Sequence, residues 1–364
     1  MFRLSRLAVI ATATAVGAAA LTALGPGPAS AAFTPPLSDP EIVQHYSFTP
    51  TLTQTPENIV LEPDCDNYSL YPECTADMTL SLSRQVIRQQ GGSFTVLAQL
   101  PDVPNASTPI LGKAAVMGIA RASDGTLYVN FATGESKTGV WRINPADGTF
   151  KQIAQLPNPA NALPNGLALD ETRHVLYVAD TVGAKIWSVP QSCNDACTPT
   201  VWASPGSKAD PKSKLLPRDG ASLPAGPNGL RVHNGAVWVT NTTQGTLLRF
   251  PVLPNGKADT VAQKASELPW IDDFAFTGSG DQVLAALAAG NSTLQPPNGD
   301  TGSVVLVNPN DGHKTVLTSQ DGLNTPTSVA VGPKGMDGGR TVYVTSGSYF
   351  SSKPAPNLVQ AHLN

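Results

Sequence analysis

Six times along the chain, an apolar strand, a turn and a second apolar strand follow one another in the same order. The first strands begin at ENIVLEP (57–63), MGIARAS (117–123), NGLALDE (165–171), NGLRVHN (228–234), DDFAFTG (272–278) and TSVAVGP (327–333). The second strands include MTLSL, TLYVNF, VLYVAD, AVWVTN, QVLAALA and TVYVTS, and third strands follow in GVWRINP, KIWSVP, TLLRFP and SVVLVNP. Alternating apolar residues rich in Val, Tyr and Trp are strand signals. Units of roughly 40–60 residues fall in the range of blades arranged around an axis. A helical solenoid is excluded, because no segment sustains a 3.6-residue period. A two-sheet sandwich would not explain six units with one internal order. The chain is therefore expected to be all-β, a six-bladed β-propeller with blades starting near 57, 117, 165, 228, 272 and 327.

The last unit is one strand short: after TSVAVGP come only TVYVTS and NLVQAHL. EIVQHYSF (41–48) precedes the first unit and has no hairpin partner of its own. It is expected to lie beside 357–363 as the outer strand of the last blade. Closing the ring this way removes an edge that would otherwise template aggregation.

Ahead of these units, Arg3 and Arg6 precede an Ala-rich apolar run from Leu7 to Leu24, followed by Gly25-Pro26-Gly27-Pro28 and Ala29-Ser30-Ala31. This order reads as a secretory signal peptide over 1–31, cleaved after Ala31, with an uncleaved anchor as the rival reading. No other stretch is apolar for long enough to span a bilayer. Residues 32–364 are thus expected to form one soluble, secreted, monomeric propeller. Export permits disulfides. The four cysteines, Cys65, Cys74, Cys193 and Cys197, fall into two close pairs, which favours local pairing among three possible connectivities. Zinc is the weaker reading, since neither pair has a CxxC spacing or a neighbouring His. The net charge of −4 comes with no Lys/Arg stripe, which argues against nucleic acid or anionic lipid and leaves a small molecule as the expected partner.

In a propeller the first strand of each blade lines the central channel. Equivalent positions at the starts of those strands are Glu57, Met117, Asn165, Asn228, Asp272 and Thr327. Two carboxylates and two amide oxygens facing one point suit Ca²⁺, with water completing the shell. No His or Cys, the donors of softer metals, occupies the ring. Pro-Asn-Gly is also a common turn, so each Asn taken singly reads first as a backbone-bonding residue, and it is the four donors at equivalent positions that favour a ligand.

On this ring the chain resembles the calcium-dependent six-bladed propellers of the senescence marker protein (regucalcin)/gluconolactonase group. The order Glu, Asn, Asn, Asp is similar to the calcium shell of diisopropyl fluorophosphatase. The resemblance implies Glu57, Asn165, Asn228 and Asp272 as metal ligands. Met117 departs from it, standing where some relatives offer a polar group, and the Cys65–Cys74 insertion lengthens the first hairpin.

A cation on the axis polarises a carbonyl or phosphoryl oxygen, and a neighbouring carboxylate attacks or activates water. Asp272 is the first candidate for that role and Glu57 the second. Asp273, next along the strand, is expected to face the other way and bond backbone. The expected activity is hydrolysis of a lactone or related ester, or of a phosphotriester. The alternatives are a ligand-binding propeller with a structural calcium and a metal-independent strictosidine synthase-like or pericyclase-like propeller. Loops 102–116, 158–164, 207–226 and 290–301 are expected to wall the pocket. Met117, Asp180, Asn241, Trp270, Thr327 and Ser346 are its candidate lining residues; Asp180 also reads as a loop cap and Trp270 as packing between blades. No G-x-S-x-G, H-E-x-x-H or P-loop pattern is present. Asn67, Asn105, Asn241 and Asn291 sit in N-x-[ST] sequons.

Overall fold

Val, Ile, Leu and aromatic residues recur through the strand segments because each blade is covered on both faces by its neighbours. The computed structural model describes Leu37 and residues 40–65, 73–289 and 302–364. Its strands enter on β1 (Glu41–Ser47) and then form six antiparallel four-stranded sheets. Blade 1 is β2 (Pro56–Leu61), β3 (Ala76–Leu80), β4 (Gln85–Gln90) and β5 (Ser93–Gln99). Blade 2 is β6 (Ala115–Arg121), β7 (Leu127–Ala132), β8 (Gly139–Ile143) and β9 (Phe150–Gln155). Blade 3 is β10 (Pro164–Asp170), β11 (Val175–Asp180), β12 (Lys185–Pro190) and β13 (Thr200–Ala203). Blade 4 is β14 (Pro227–His233), β15 (Ala236–Asn241), β16 (Thr246–Pro251) and β17 (Ala262–Ala265). Blade 5 is β18 (Ile271–Phe276), β19 (Val283–Leu287), β20 (Ser303–Asn308) and β21 (Gly312–Leu317). Blade 6 is β22 (Pro326–Lys334), β23 (Arg340–Ser346) and β24 (Asn357–Leu363), with β1 as its outer strand.

The ring closes as the sequence predicts. β1 runs antiparallel to β24, from Glu41 opposite His362 to Ser47 opposite Asn357. Each inner strand packs on the next, and β22 returns to β2. The core lies between blades. Val86, Ala98 and Leu100 of blade 1 share a cluster with Val116, Ile119, Phe131 and Trp141 of blade 2, and Phe131 and Trp141 meet edge to face at 5.8 Å. Burying one such side chain contributes about 1.5–3 kcal/mol.

The six inner strands share one irregularity. Each shifts register against its second strand near its start: between Pro56 and Ile59, Val116 and Ile119, Pro164 and Leu167, Pro227 and Leu230, Ile271 and Phe274, and Pro326 and Ser328. Glu57, Met117, Asn165, Asn228, Asp272 and Thr327 all fall in these shifts, so the backbone makes them equivalent.

Glycine follows the ring residue in three blades because neighbouring inner strands approach too closely for a side chain. A Cβ on Gly118 would lie 2.3 Å from the Asn165 carbonyl oxygen, and one on Gly166 would lie 2.1 Å from that of Asn228.

Disulfides join Cys65 to Cys74, in the connection between β2 and β3, and Cys193 to Cys197, between β12 and β13. The second loop docks on the preceding blade, where the Cys197 N–H donates to the Ile153 carbonyl and Gln155 N–H donates back to Cys197. Residues 1–31, expected as a leader, the segment 290–301 and the sequons at Asn67 and Asn291 lie outside the described residues. Among the described residues no helix is long and apolar enough to cross a membrane.

Candidate functional site

At one end of the axis the inner strands open into a cavity of about 380 Å³. Glu57, Met117, Asn165, Asn228 and Asp272 line it together. One turn of backbone, repeated in different blades, thus delivers four oxygen-bearing side chains to one space. Thr327, the sixth ring position, is turned away: its Oγ1 donates to the Pro56 carbonyl at 3.1 Å, tying blade 6 to blade 1.

Loops between strands supply the walls. Ile110 and Leu111 come from 102–116, Leu163 from 158–164, and Leu223 and Ala225 from 207–226, as expected. Trp270 is also in the wall, with Ala288 beside it. Sequence reasoning missed Tyr349 and Phe350, which reach the cavity from the β23–β24 connection. The only sequence signal there is an aromatic pair inside a Ser/Gly/Pro-rich stretch.

Three other candidates do not line this cavity. Asp180 caps a loop, accepting from the N–H groups of Leu163 and Gly183 at 3.0 and 2.9 Å and from the Trp187 indole at 3.2 Å. Asn241 is fully buried and donates to the Lys214 and Leu216 carbonyls. Ser346 Oγ accepts from the Asn324 N–H. All three end second strands, where a short polar side chain satisfies the next loop's backbone before it can reach a ligand.

The expectation for Asp273 is also corrected. Strand alternation would turn it away from the axis, but it lies within the register shift that follows Ile271, where alternation fails. Asp273 is 1% exposed and gathers side chains from three other blades. Asn58 Nδ2 donates to it at 2.9 Å, the Arg231 guanidinium at 2.5 Å and Ser328 Oγ at 2.6 Å. A buried charge tied this way forms a hub for blades 1, 4, 5 and 6.

Glu57 and Asp272 face a different environment. Burial pushes the Glu57 carboxyl up to about 7; the Tyr349 hydrogen bond opposes this and the charge of Asp273 adds to it. Burial raises Asp272 well above the usual carboxylate range, the charges of Glu57 and Asp273 add to the rise, and a hydrogen bond from Asn228 opposes it. Asn228 Nδ2 also bonds Thr242 Oγ1 at 3.0 Å. The Tyr349 hydroxyl donates to Glu57 Oε2 at 2.6 Å and also bonds Ser81. Burial and the nearby Glu57 charge push the Tyr349 phenol well up. Among the described lining residues there is no Lys, Arg or His to neutralise the two carboxyls.

The donor set fits a hard divalent cation. All four ring donors carry oxygen, and two buried carboxylates that repel each other are stabilised by a positive charge between them. Among the described residues no group of three or more His, Cys, Asp or Glu forms a metal cluster, so amide oxygens would have to complete this one.

Fold and site together define an all-β six-bladed propeller with a polar ring beneath an apolar-walled axial cavity. The sequence matches no protein-family model and no curated protein. The solved structures it resembles include the calcium-binding protein regucalcin of Agrobacterium tumefaciens, at TM-score 0.54 and 16% identity over 85% of this chain and 91% of that one. They include a gluconolactonase-like protein, at TM-score 0.51 and 12% identity over 88% and 99%. A PQQ-bound aldose sugar dehydrogenase of Streptomyces coelicolor aligns at TM-score 0.53 and 13% identity over 90% and 98%. At these identities the likeness shows the fold alone.

Proposed function

We propose that the protein is a secreted, monomeric, Ca²⁺-dependent hydrolase of the lactonase type, acting on a lactone or related ester at the axial ring. The observation that carries this reading is the meeting of Glu57, Asn165, Asn228 and Asp272, from four blades, in one cavity without a cationic side chain among its described lining. These four residues would hold the ion, a shell similar to that of diisopropyl fluorophosphatase. When bound, Ca²⁺ supplies Lewis-acid polarisation of the substrate carbonyl.

The remaining chemistry belongs to the chain. Asp272, which lines the cavity, would be the group placed to take a proton from an attacking water once a bound cation favours its ionised form. Asn228, beside it in the ring, is oriented by the hydrogen bond from its amide to Thr242 Oγ1. Glu57 is fixed by Tyr349, which keeps its orientation and favours its ionised form. The apolar walls exclude bulk water, which strengthens each of these interactions. A calcium-binding protein and a gluconolactonase-like protein on the same fold agree with the reading. Two paired disulfides agree with export.

The test is hydrolysis of a panel of lactones and aryl esters by protein stripped with chelator and then reconstituted with Ca²⁺. Turnover that disappears on stripping and returns with Ca²⁺ is the expected result. Turnover indifferent to chelator overturns the metal-dependent reading. Binding of Ca²⁺ without turnover of any substrate favours a ligand-binding propeller with a structural ion.

A further inference from the structure

The cavity walls bear on which ester the site takes. Leu82, Leu111, Leu163, Leu223, Trp270 and Phe350 line it. Ile110 stands at its edge, 37% exposed. Its backbone has φ 68°, a left-handed conformation that β-branched residues rarely adopt. An apolar side chain is thus held in the open beside the cavity rather than folded into the core.

Most polar side chains along this wall, outside the ring, are already hydrogen-bonded. Thr181 Oγ1 donates to the Pro227 carbonyl at 2.7 Å. Thr242 Oγ1 pairs with Asn228, and the Tyr349 hydroxyl is held between Glu57 and Ser81. The Trp270 indole N–H is the exception, a buried donor with no hydrogen-bond partner among the described residues. A substrate bearing several hydroxyls loses more water here than this single indole donor replaces, which costs affinity. An anionic substituent along this wall meets no described cationic side chain.

Resting on the hydrolase reading above, we propose that the substrate is a neutral lactone or ester with hydrocarbon substituents. The wall around Leu111, Leu223 and Phe350 selects it against polyhydroxylated and anionic esters. The ring acts on the carbonyl; the wall takes the alkyl or aryl group.

The test compares δ-undecalactone with glucono-δ-lactone, which share a six-membered ring and a reacting carbonyl and differ in their substituents. After subtraction of spontaneous hydrolysis, kcat/KM for the alkyl lactone should exceed that for the sugar lactone by at least about 100-fold, the scale on which an apolar pocket discriminates against hydroxyls. Phe350 is partly exposed, so Phe350→Asp leaves the core intact. It should lower kcat/KM for δ-undecalactone by about 10-fold, chiefly through KM. Equal or better turnover of glucono-δ-lactone overturns the inference. If neither lactone is hydrolysed, the hydrolase reading fails, and calorimetric titration with δ-undecalactone decides the inference by itself. Binding that weakens in Phe350→Asp supports it; no binding, or equal binding of glucono-δ-lactone, overturns it.

Discussion

The Tyr349 hydroxyl donates to Glu57 Oε2 at 2.6 Å and so fastens a loop of the last blade to the inner strand of the first. This bond favours the ionised carboxylate. Without it the Glu57 carboxyl, already up at about 7, rises further. In Tyr349→Phe the carboxylate is harder to ionise, so Ca²⁺ affinity at neutral pH, read by calorimetric titration of chelator-stripped protein, should fall by about 10-fold, the scale of one hydrogen bond to a charged group. An unchanged affinity would show that the Tyr349 bond does not prepare Glu57 for the ion.

The same carboxyl sets a pH dependence of stability in the metal-free protein. Folding raises Glu57 from 4.5 to about 7, and Asp272 moves in the same direction. Between those two values the folded state keeps a proton that the unfolded state releases. Stability is then full below the unfolded pKa and is lost as pH rises through the folded one. Scanning calorimetry of chelator-stripped protein should show Tm falling as pH rises from about 4.5 through about 7. Ca²⁺ favours the ionised carboxylates and should flatten the fall. A flat profile without Ca²⁺ contradicts the assignment.

Gly166 stands where a Cβ would lie 2.1 Å from the Asn228 carbonyl oxygen and 2.8 Å from the Leu230 nitrogen. Neither backbone atom can swing aside as the end of a side chain can. Gly166→Ala should cost at least about 2 kcal/mol, read as a lowered urea midpoint. An unchanged midpoint would mean that the inner strands are free to separate.

Much of this was legible in the sequence, because blades repeat. The inner-strand starts, the donation of 41–48 to the last blade and the shared position of Glu57, Asn165, Asn228 and Asp272 all follow from one alignment of six units. Asp273 was misread because a period of two assumes a regular strand, and the register shift at 272–273 breaks it. Asp180, Asn241 and Ser346 occupy the right ends of their strands, but their hydrogen bonds turn them into the loops. Tyr349 and Phe350 sit in a connection without periodicity, and nothing local ties them to a glutamate 292 residues away.

Asp273 holds Asn58, Arg231 and Ser328 from three other blades. Its removal leaves the largely buried Arg231 without its ion pair. Asp273→Ala should destabilise by about 3–5 kcal/mol in urea denaturation, the cost of breaking a buried pair from one side. A loss within the range of ordinary surface substitutions, about 0.5 kcal/mol, would remove its role as the axial hub.

The central claim is that four oxygen donors on four blades hold one Ca²⁺. Isothermal titration of chelator-stripped protein with Ca²⁺ tests it most directly, in wild type and in Asp272→Asn and Asn165→Ala. The account predicts a single binding event in the wild type, weakened in both variants. Absence of binding in the wild type, or binding of equal affinity in all three proteins, would contradict it.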